Sequence, residues 1–374
     1  MVNPGRTGDR EWNPAVRWTA MLCVTAAVGL LMVVPVRGQW LRYPTPGIPR
    51  GSDGKLDLLA PTPRTAEGKP DLSGLWQPNA GGYQINVTAD LSVNEFRPWA
   101  AALTKQRIAN FDFASANPVA LCLPPGPAVR AMTAMVKIVQ TRSLIVMLYE
   151  SGILDRQIFM DGRTLPVDPN PTWMGYSVGR WDGNTLVVES AGFNDKTWLD
   201  LTGHPHSEEL RVTERFTRSD FGHMQLQMTI DDPQAYARPF TVPVDLQFVG
   251  DSELLEEVCN ENARDAVRTA GAKMSAITLP SSVLTTFSGT YEVTAGTRFP
   301  SGRTFVVTFT GAQVILQRPG DKIGLPMASI SDTRFVLIGG GADIEFIKDA
   351  DGAATQLIFR SVEGEARAVR KSSP

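Results

Sequence analysis

The sequence predicts a mainly β protein of two antiparallel units with one helix on the N-terminal side. Three observations carry that expectation. From about residue 135 onward, apolar residues recur with period two or in short runs, the pattern of strands with one face in a core. Glycine and proline, 33 and 27 of 374 residues, punctuate those runs with turn signals. Between about 135 and 260 no helical stretch separates the strands. Neighbours in sequence must therefore pair with each other, and the sheet closes into a barrel or folds as a sandwich.

The chain opens with Arg6, Arg10 and Arg17, followed by the apolar run WTAMLCVTAAVGLLMVVP at 18–35 and then Val36-Arg37-Gly38, with small or modest side chains at the positions a signal peptidase reads. A basic head, an apolar stretch and a small-residue exit describe a secretory signal over 1–38. The competing reading is a membrane anchor, for which a run of about 18 apolar residues is borderline. The signal reading predicts a periplasmic or secreted protein with no stable membrane insertion after cleavage. No twin arginine is present, so the general export route, an unfolded passage and no cofactor are expected. A formal charge of −3 argues against a nucleic-acid partner, because phosphate binding needs a basic face. Beyond the signal two cysteines remain, Cys122 and Cys259. An oxidising compartment permits a bridge between them; the alternative is two small buried hydrophobes.

Residues 39–75 are rich in proline and glycine and read as an extended arm with polyproline-like geometry. The arm repeats itself: PRGSDGKLDL at 49–58 returns as PRTAEGKPDL at 63–72. Ser92 to Asn110 is the best helix, opened by a capping box of Ser92 and Glu95, although Pro98 pushes its start later. A β unit then occupies residues 76–262 together with that helix. MVKIVQ, SLIVMLYE, ILDRQIFM, YSVGRW, TLVVES, ELRVTERFT, HMQLQMTI, VDLQFV and ELLEEVC all read as its strands. Asp182-Gly183 and Ser219-Asp220-Phe221-Gly222 mark tight hairpins. Closure removes exposed edges, which favours a lipocalin-like barrel. ARDAVRTAGAKMSA at 263–276 is a short helix or linker within 263–282. A second small antiparallel β domain covers 283–374, with strands in FSGTYEVT, RTFVVTFT, AQVILQR, TRFVLIG, ADIEFIK and TQLIFRS. Asp349 to Gly352 lacks the closing glutamate of a calcium loop and reads as a hairpin turn.

Three stretches carry a family likeness: LAPTPRTAEGKPDLSGLW, RQIFMDGRTLPVDPNPTWMGYSVGRWDGNTLVVESAGFND, and HSEELRVTERF through CNEN. Together they resemble a widespread family of exported soil-bacterial proteins over most of residues 40–265. The resemblance implies export and one shared architecture, and no reaction. Residues 283–371, through SGTYEV and FIKDADGAATQLIF, resemble the small β domain appended to exported serine hydrolases of the penicillin-recognising type. The hydrolase domain and its Ser-x-x-Lys are absent, so that activity is not carried over.

Candidate chemistry centres on LTGHPHSEELRVTERFTR at 201–218. His204 and His206 form a His-x-His pair, but the positions where a cupin would place its glutamate hold Leu210 and Arg211, so no metal is expected. Loop histidines with ordinary polar partners are the plainer reading. Strand parity then puts Leu210, Val212, Glu214 and Phe216 on one face, which places a carboxylate inside the barrel. The strand ILDRQIFM repeats the oddity with Leu154, Arg156, Ile158 and Met160 on one face, which makes Arg156 the natural partner of Glu214. That pair is either a buried ion pair fixing register or an acid–base or anchoring group. Asp161 and Arg163 end the same strand, where they face a barrel mouth or form a local turn pair. Trp173 and Tyr176 lie in a proline-rich loop suited to capping an opening, and Tyr149 ends a neighbouring strand.

Two functional expectations follow. The first is a pocket for an apolar or aromatic small molecule, with cofactor-free acid–base chemistry such as isomerisation, hydration or hydrolysis. Glu214 would be its acid or base, Arg156 its anchor, and His204 or His206 its proton relay. Tyr149, Asp161, Arg163, Trp173 and Tyr176 would contact the ligand. The second is a non-catalytic periplasmic binding or scaffold protein, and a further alternative is a metal-dependent enzyme using His204 and His206.

Overall fold

The computed structural model describes residues 43–110, 117–119, 121–150, 155–259, 277–310, 314–321, 323–338, 342–361 and 364–371. The signal-like segment 1–38 and the stretch 263–276 lie outside the described residues. From Arg42 onward the chain forms one unit, which carries two closed barrels in sequence.

The first barrel has nine strands: β1 (Gly74–Asn79), β2 (Val136–Gln140), β3 (Leu144–Tyr149), β4 (Arg156–Phe159), β5 (Tyr176–Asp182), β6 (Thr185–Ala191), β7 (Arg211–Arg218), β8 (His223–Asp231) and β9 (Phe240–Phe248). Each strand pairs with the next, and β9 returns to β1 from Trp76↔Phe248 to Asn79↔Asp245, which abolishes both edges. All pairings are antiparallel except β4 with β5, which are parallel at Ile158↔Ser177. The loop over 160–175 carries the chain back to the end where β4 began. Period-two patterning fills the interior. In β9, Phe240, Val242, Val244, Leu246 and Phe248 point in and the residues between them point out.

The alternation gives the barrel two distinct ends. The starts of β2, β4, β5, β7 and β9 meet at one of them, here called the helical end. It is covered by α1 (Pro98–Asn110), α2 (Gly126–Thr133) and the loop 192–210. The arm seals the other end. Leu58 O accepts from Gly222 N (2.7 Å), Ala60 O from Phe221 N (2.8 Å), and Leu72 is fully buried. Inward-facing Arg218 locks this seal. Its Nη1 donates to Asp71 O (2.5 Å), its Nε to Asp220 O (3.1 Å) and its Nη2 to Phe221 O, while its guanidinium lies 4.7 Å from the centre of the Trp76 ring.

The second barrel has eight strands in simple up-and-down order: β10 (Gly289–Gly296), β11 (Thr304–Phe309), β12 (Val314–Gln317), β13 (Leu325–Ser329), β14 (Arg334–Leu337), β15 (Ala342–Lys348), β16 (Ala354–Ser361) and β17 (Gly364–Arg370). A short helix, α3 (Ser281–Thr285), precedes it. Its core is aromatic and aliphatic, with Phe287, Tyr291, Phe305, Phe335, Phe346 and Phe359 among its fully buried members. Ile85 from the first barrel's 80–91 loop joins that core, and Ile108 of α1 packs on Ala328, Val336 and Ile338.

Several local expectations need correction. The arm is not an extended polyproline stretch but two tiny hairpins, one per repeat. Asp57 N bonds Pro49 O (3.0 Å) and Asp71 N bonds Pro63 O (2.9 Å). Arg50 and Arg64 each reach a glycine carbonyl in their own turn, at Gly54 and Gly68. Both glycines sit in the left-handed region, φ 76° and 75°, where a β-carbon would be strained. The helix splits: Ser92 and Glu95 cap only a 3-10 turn, Val93–Glu95, and α1 starts at Pro98, whose missing N–H costs nothing in a first turn. ELLEEVC forms no strand, because β1 already occupies the edge of β9. Its Glu253 instead pairs with Lys137 on β2 (2.5 Å). β1, β13 and β17 had not been foreseen, nor had α2.

Candidate functional site

The helical end of the first barrel gathers most of the buried polar groups. Arg156 on β4 and Glu214 on β7 are separated by two strands, yet they meet inside the barrel. Ser177 on β5 and Ser190 on β6 lie between them, facing inward with small side chains, so the guanidinium stretches over them. Nε donates to Ser177 Oγ (3.1 Å), Nη2 to Ser190 Oγ (2.8 Å), and Nη1 to Glu214 Oε1 (3.0 Å). Nη2 also reaches Glu214 Oε2, completing a two-pronged pair whose members are 2% and 1% exposed. Burial alone would depress the Arg156 guanidinium; the Glu214 charge and hydrogen bonds outweigh it and hold the group above its ordinary value. Removing one partner of such a pair leaves a buried charge and costs about 3–5 kcal/mol.

Tyr149 ends β3 two residues beyond Met147, the register partner of Arg156. Its ring is buried, and burial raises its phenol above the ordinary value. Over its face, 4.9 Å from the ring centre, lies the guanidinium of Arg130 on α2. α2 begins at Gly126, whose positive φ of 83° turns the chain and whose α-carbon packs on Thr197, then runs into β2. Burial pushes the Arg130 guanidinium below its ordinary value.

The two histidines occupy a separate cluster in the loop 192–210. His204 Nδ1 bonds Asp200 Oδ2 (2.5 Å) and its Nε2 bonds Thr88 Oγ1 (2.9 Å). Asp200 also accepts the backbone N–H groups of Val87, Thr202, Gly203 and His204. The unit therefore ties the loop 198–204 to residues 87–88. His206 Nδ1 bonds Ser207 O (2.9 Å), which makes Nδ1 the protonated nitrogen and leaves Nε2 to accept from Thr197 Oγ1 (2.5 Å). Burial pushes His206 below its ordinary value, against the opposing pull of Ser207 O, Asp232 and Asp195. Both rings are buried, with both nitrogens engaged, as the plainer reading of loop histidines expects. Neither is seen bonded to Glu214. Among the described residues no three His, Cys, Asp or Glu side chains gather as a metal-binding group.

Asp161, Arg163 and Tyr176 form an exposed cluster at the end of β4. Arg163 donates Nε to Asp161 Oδ1 (2.8 Å) and Nη1 to Tyr176 OH (2.9 Å), and lies 4.0 Å from the centre of the Phe159 ring, which stacks on Tyr176. Trp173 is half-buried beside the Thr172–Phe193 bridge. Leu154, on the face inferred for Arg156, lies outside the described residues. Cys122 and Cys259 are joined in a disulfide, so Cys259 is neither a thiolate ligand nor a nucleophile. It ties the segment entering α2 to the chain leaving β9.

Parity arguments located Arg156 and Glu214. They missed Ser177, Ser190 and Arg130. An inward serine on a strand of mixed composition was the available signal for the first two. Arg130 lies in GPAVRAMT, too short a helix to show a periodic face. No protein-family model and no curated protein matches this chain.

Proposed function

We propose that this is an exported β-barrel protein that binds an apolar or aromatic small molecule at the helical end of its first barrel, without performing chemistry on it. One observation carries the reading: the difference between the two barrel interiors. The second has an apolar core, mostly Phe, Leu, Ile and Val with some Ala, Met and Tyr, as a barrel that only needs to be stable would have. The first places Tyr149, Arg130, Arg156, Ser177, Ser190 and Glu214 at one end. A buried ion pair rarely adds stability over apolar residues of the same volume, so its presence calls for a role in positioning or recognition. Acid–base chemistry gains less support. Both oxygens of Glu214 are held by Arg156, and all four histidine ring nitrogens at 204 and 206 have partners.

The test uses the full chain expressed with its own N-terminus. Export predicts a recovered mass short of the first 38 residues. Titration with the neutral dye Nile red should give saturable one-to-one binding, weakened by Tyr149→Ala. No saturable binding would leave the scaffold alternative standing.

A further inference from the structure

We propose that Arg130 is an anion-recognition residue that presents its guanidinium to the carboxylate of a small organic monoacid bound at the helical end of the first barrel. This rests on the small-molecule reading above and narrows its ligand class.

Among the described residues three arginines are buried at the first barrel, and in two of them every guanidinium nitrogen has an acceptor. Arg156 is met by Glu214, Ser177 and Ser190; Arg218 by the carbonyls of Asp71, Asp220 and Phe221. Arg130 is as deeply buried, at 1% exposed, yet among the described residues none of Nε, Nη1 and Nη2 has a hydrogen-bond partner. The Tyr149 ring supports the cation from one face but offers no oxygen in the plane of the fork. Buried guanidinium donors are otherwise satisfied in folded proteins, so an acceptor from outside the chain is the economical account.

The surroundings select the acceptor. A guanidinium edge matches a planar carboxylate through two parallel hydrogen bonds. Asp155 and Glu257 act on Arg130 through space and form no described hydrogen bond with it, so they oppose a ligand of two negative charges more than one of a single charge. That favours a monoanion over a phosphate dianion. The buried Tyr149 ring, 4.9 Å from the guanidinium, suits an apolar or aromatic body.

The experiment is calorimetric titration of the full chain with benzoate, its neutral counterpart benzamide, and inorganic phosphate, repeated with Arg130→Met and Arg130→Lys. Benzoate should bind one to one, at least tenfold tighter than benzamide or phosphate. Arg130→Met should remove that advantage, Arg130→Lys should keep part of it, and Nile red should still bind all three proteins saturably. Arg130→Met should also melt no lower than the parent, since it deletes a buried cation without an acceptor. Equal affinity for benzoate and benzamide, with Nile red still bound, overturns the role of Arg130 and spares the small-molecule reading. Phosphate binding tighter than benzoate overturns the carboxylate class. Arg130→Met melting clearly below the parent shows a structural partner and overturns the proposal. Loss of every titration signal, Nile red included, overturns both readings.

Discussion

Replacing Glu214 by glutamine tests the most consequential contact in the first barrel. The change keeps the side chain's size and one acceptor oxygen but removes the charge opposite Arg156. In the native protein the guanidinium has four described hydrogen bonds, two to Glu214 and one to each serine. After substitution the serines remain, the amide oxygen can accept one bond, and the amide nitrogen faces a donor. A buried cation then lacks its counter-charge. Severing a pair of this kind costs about 3–5 kcal/mol, and the retained acceptor places the expected loss near the lower bound, about 3 kcal/mol. The readout is urea unfolding followed by tryptophan fluorescence. None of the eight tryptophans lies beyond Trp198, so the signal excludes the second barrel. The double replacement Arg156→Met with Glu214→Leu removes both charges and should fall within about 1 kcal/mol of the parent. A loss below about 1 kcal/mol for Glu214→Gln alone would refute the reasoning, because the carboxylate would then not be the desolvated counter-ion its burial implies.

Other substitutions report on other joints. Gly222→Ala should loosen the arm and hasten proteolysis between residues 58 and 66, because a β-carbon there would lie 2.5 Å from Leu58 Cβ and 2.8 Å from its carbonyl oxygen; unchanged proteolysis would argue against the seal. Reducing the Cys122–Cys259 bridge, or Cys259→Ser, opens a loop spanning a separation of 137 residues. On the chain-entropy estimate this should lower first-barrel stability by about 2–5 kcal/mol, measured as the shift in urea midpoint times the slope. His206 supplies a pH signature. Its folded value is below the ordinary 6.5, so the unfolded chain takes up the proton first as pH falls. Stability should be flat above about 6.5 and decline below it. His206→Gln should shrink that decline in paired melts at pH 7.5 and 5.5, and an identical decline would assign it to other groups.

Much of the fold was legible because closed antiparallel barrels obey a local rule. Strict alternation in β7, β8 and β9 states which side chains face inward, and the Asp-Gly and Ser-Asp-Phe-Gly signals state where the chain reverses. The same parity exposed Glu214 and Arg156, since a charge on an apolar face stands out in a period-two pattern. The strands that escaped notice lack that contrast. β1 reads GLWQPN, with proline and asparagine at its end; β13 contains Pro326; and β17 buries only two alanines, Ala366 and Ala368, between charged neighbours. Their status depends on having a partner edge, and that is a non-local property. Arg130 is harder still. Nothing in GPAVRAMT tells whether its arginine snorkels to water or turns onto Tyr149.

The arm shows how a weak sequence signal becomes structural. Two copies of a ten-residue phrase cannot form a solenoid, yet each copy makes the same turn. Its arginine grips the carbonyl of its own left-handed glycine, and its aspartate closes the neck. The copies differ in what they dock against. Arg50 pairs with Asp251 (2.5 Å) beyond β9, whereas Arg64 and Lys69 reach Asn184 and Gly183 at the β5–β6 turn. Identical local units thus grip two separate points on one rim, and Leu58, Ala60 and Leu72 are drawn across the opening between them. Such a seal makes the arm end the wrong place for a ligand to enter. The proposed site lies at the opposite, helical end, where the buried Arg130 has no acceptor among the described residues.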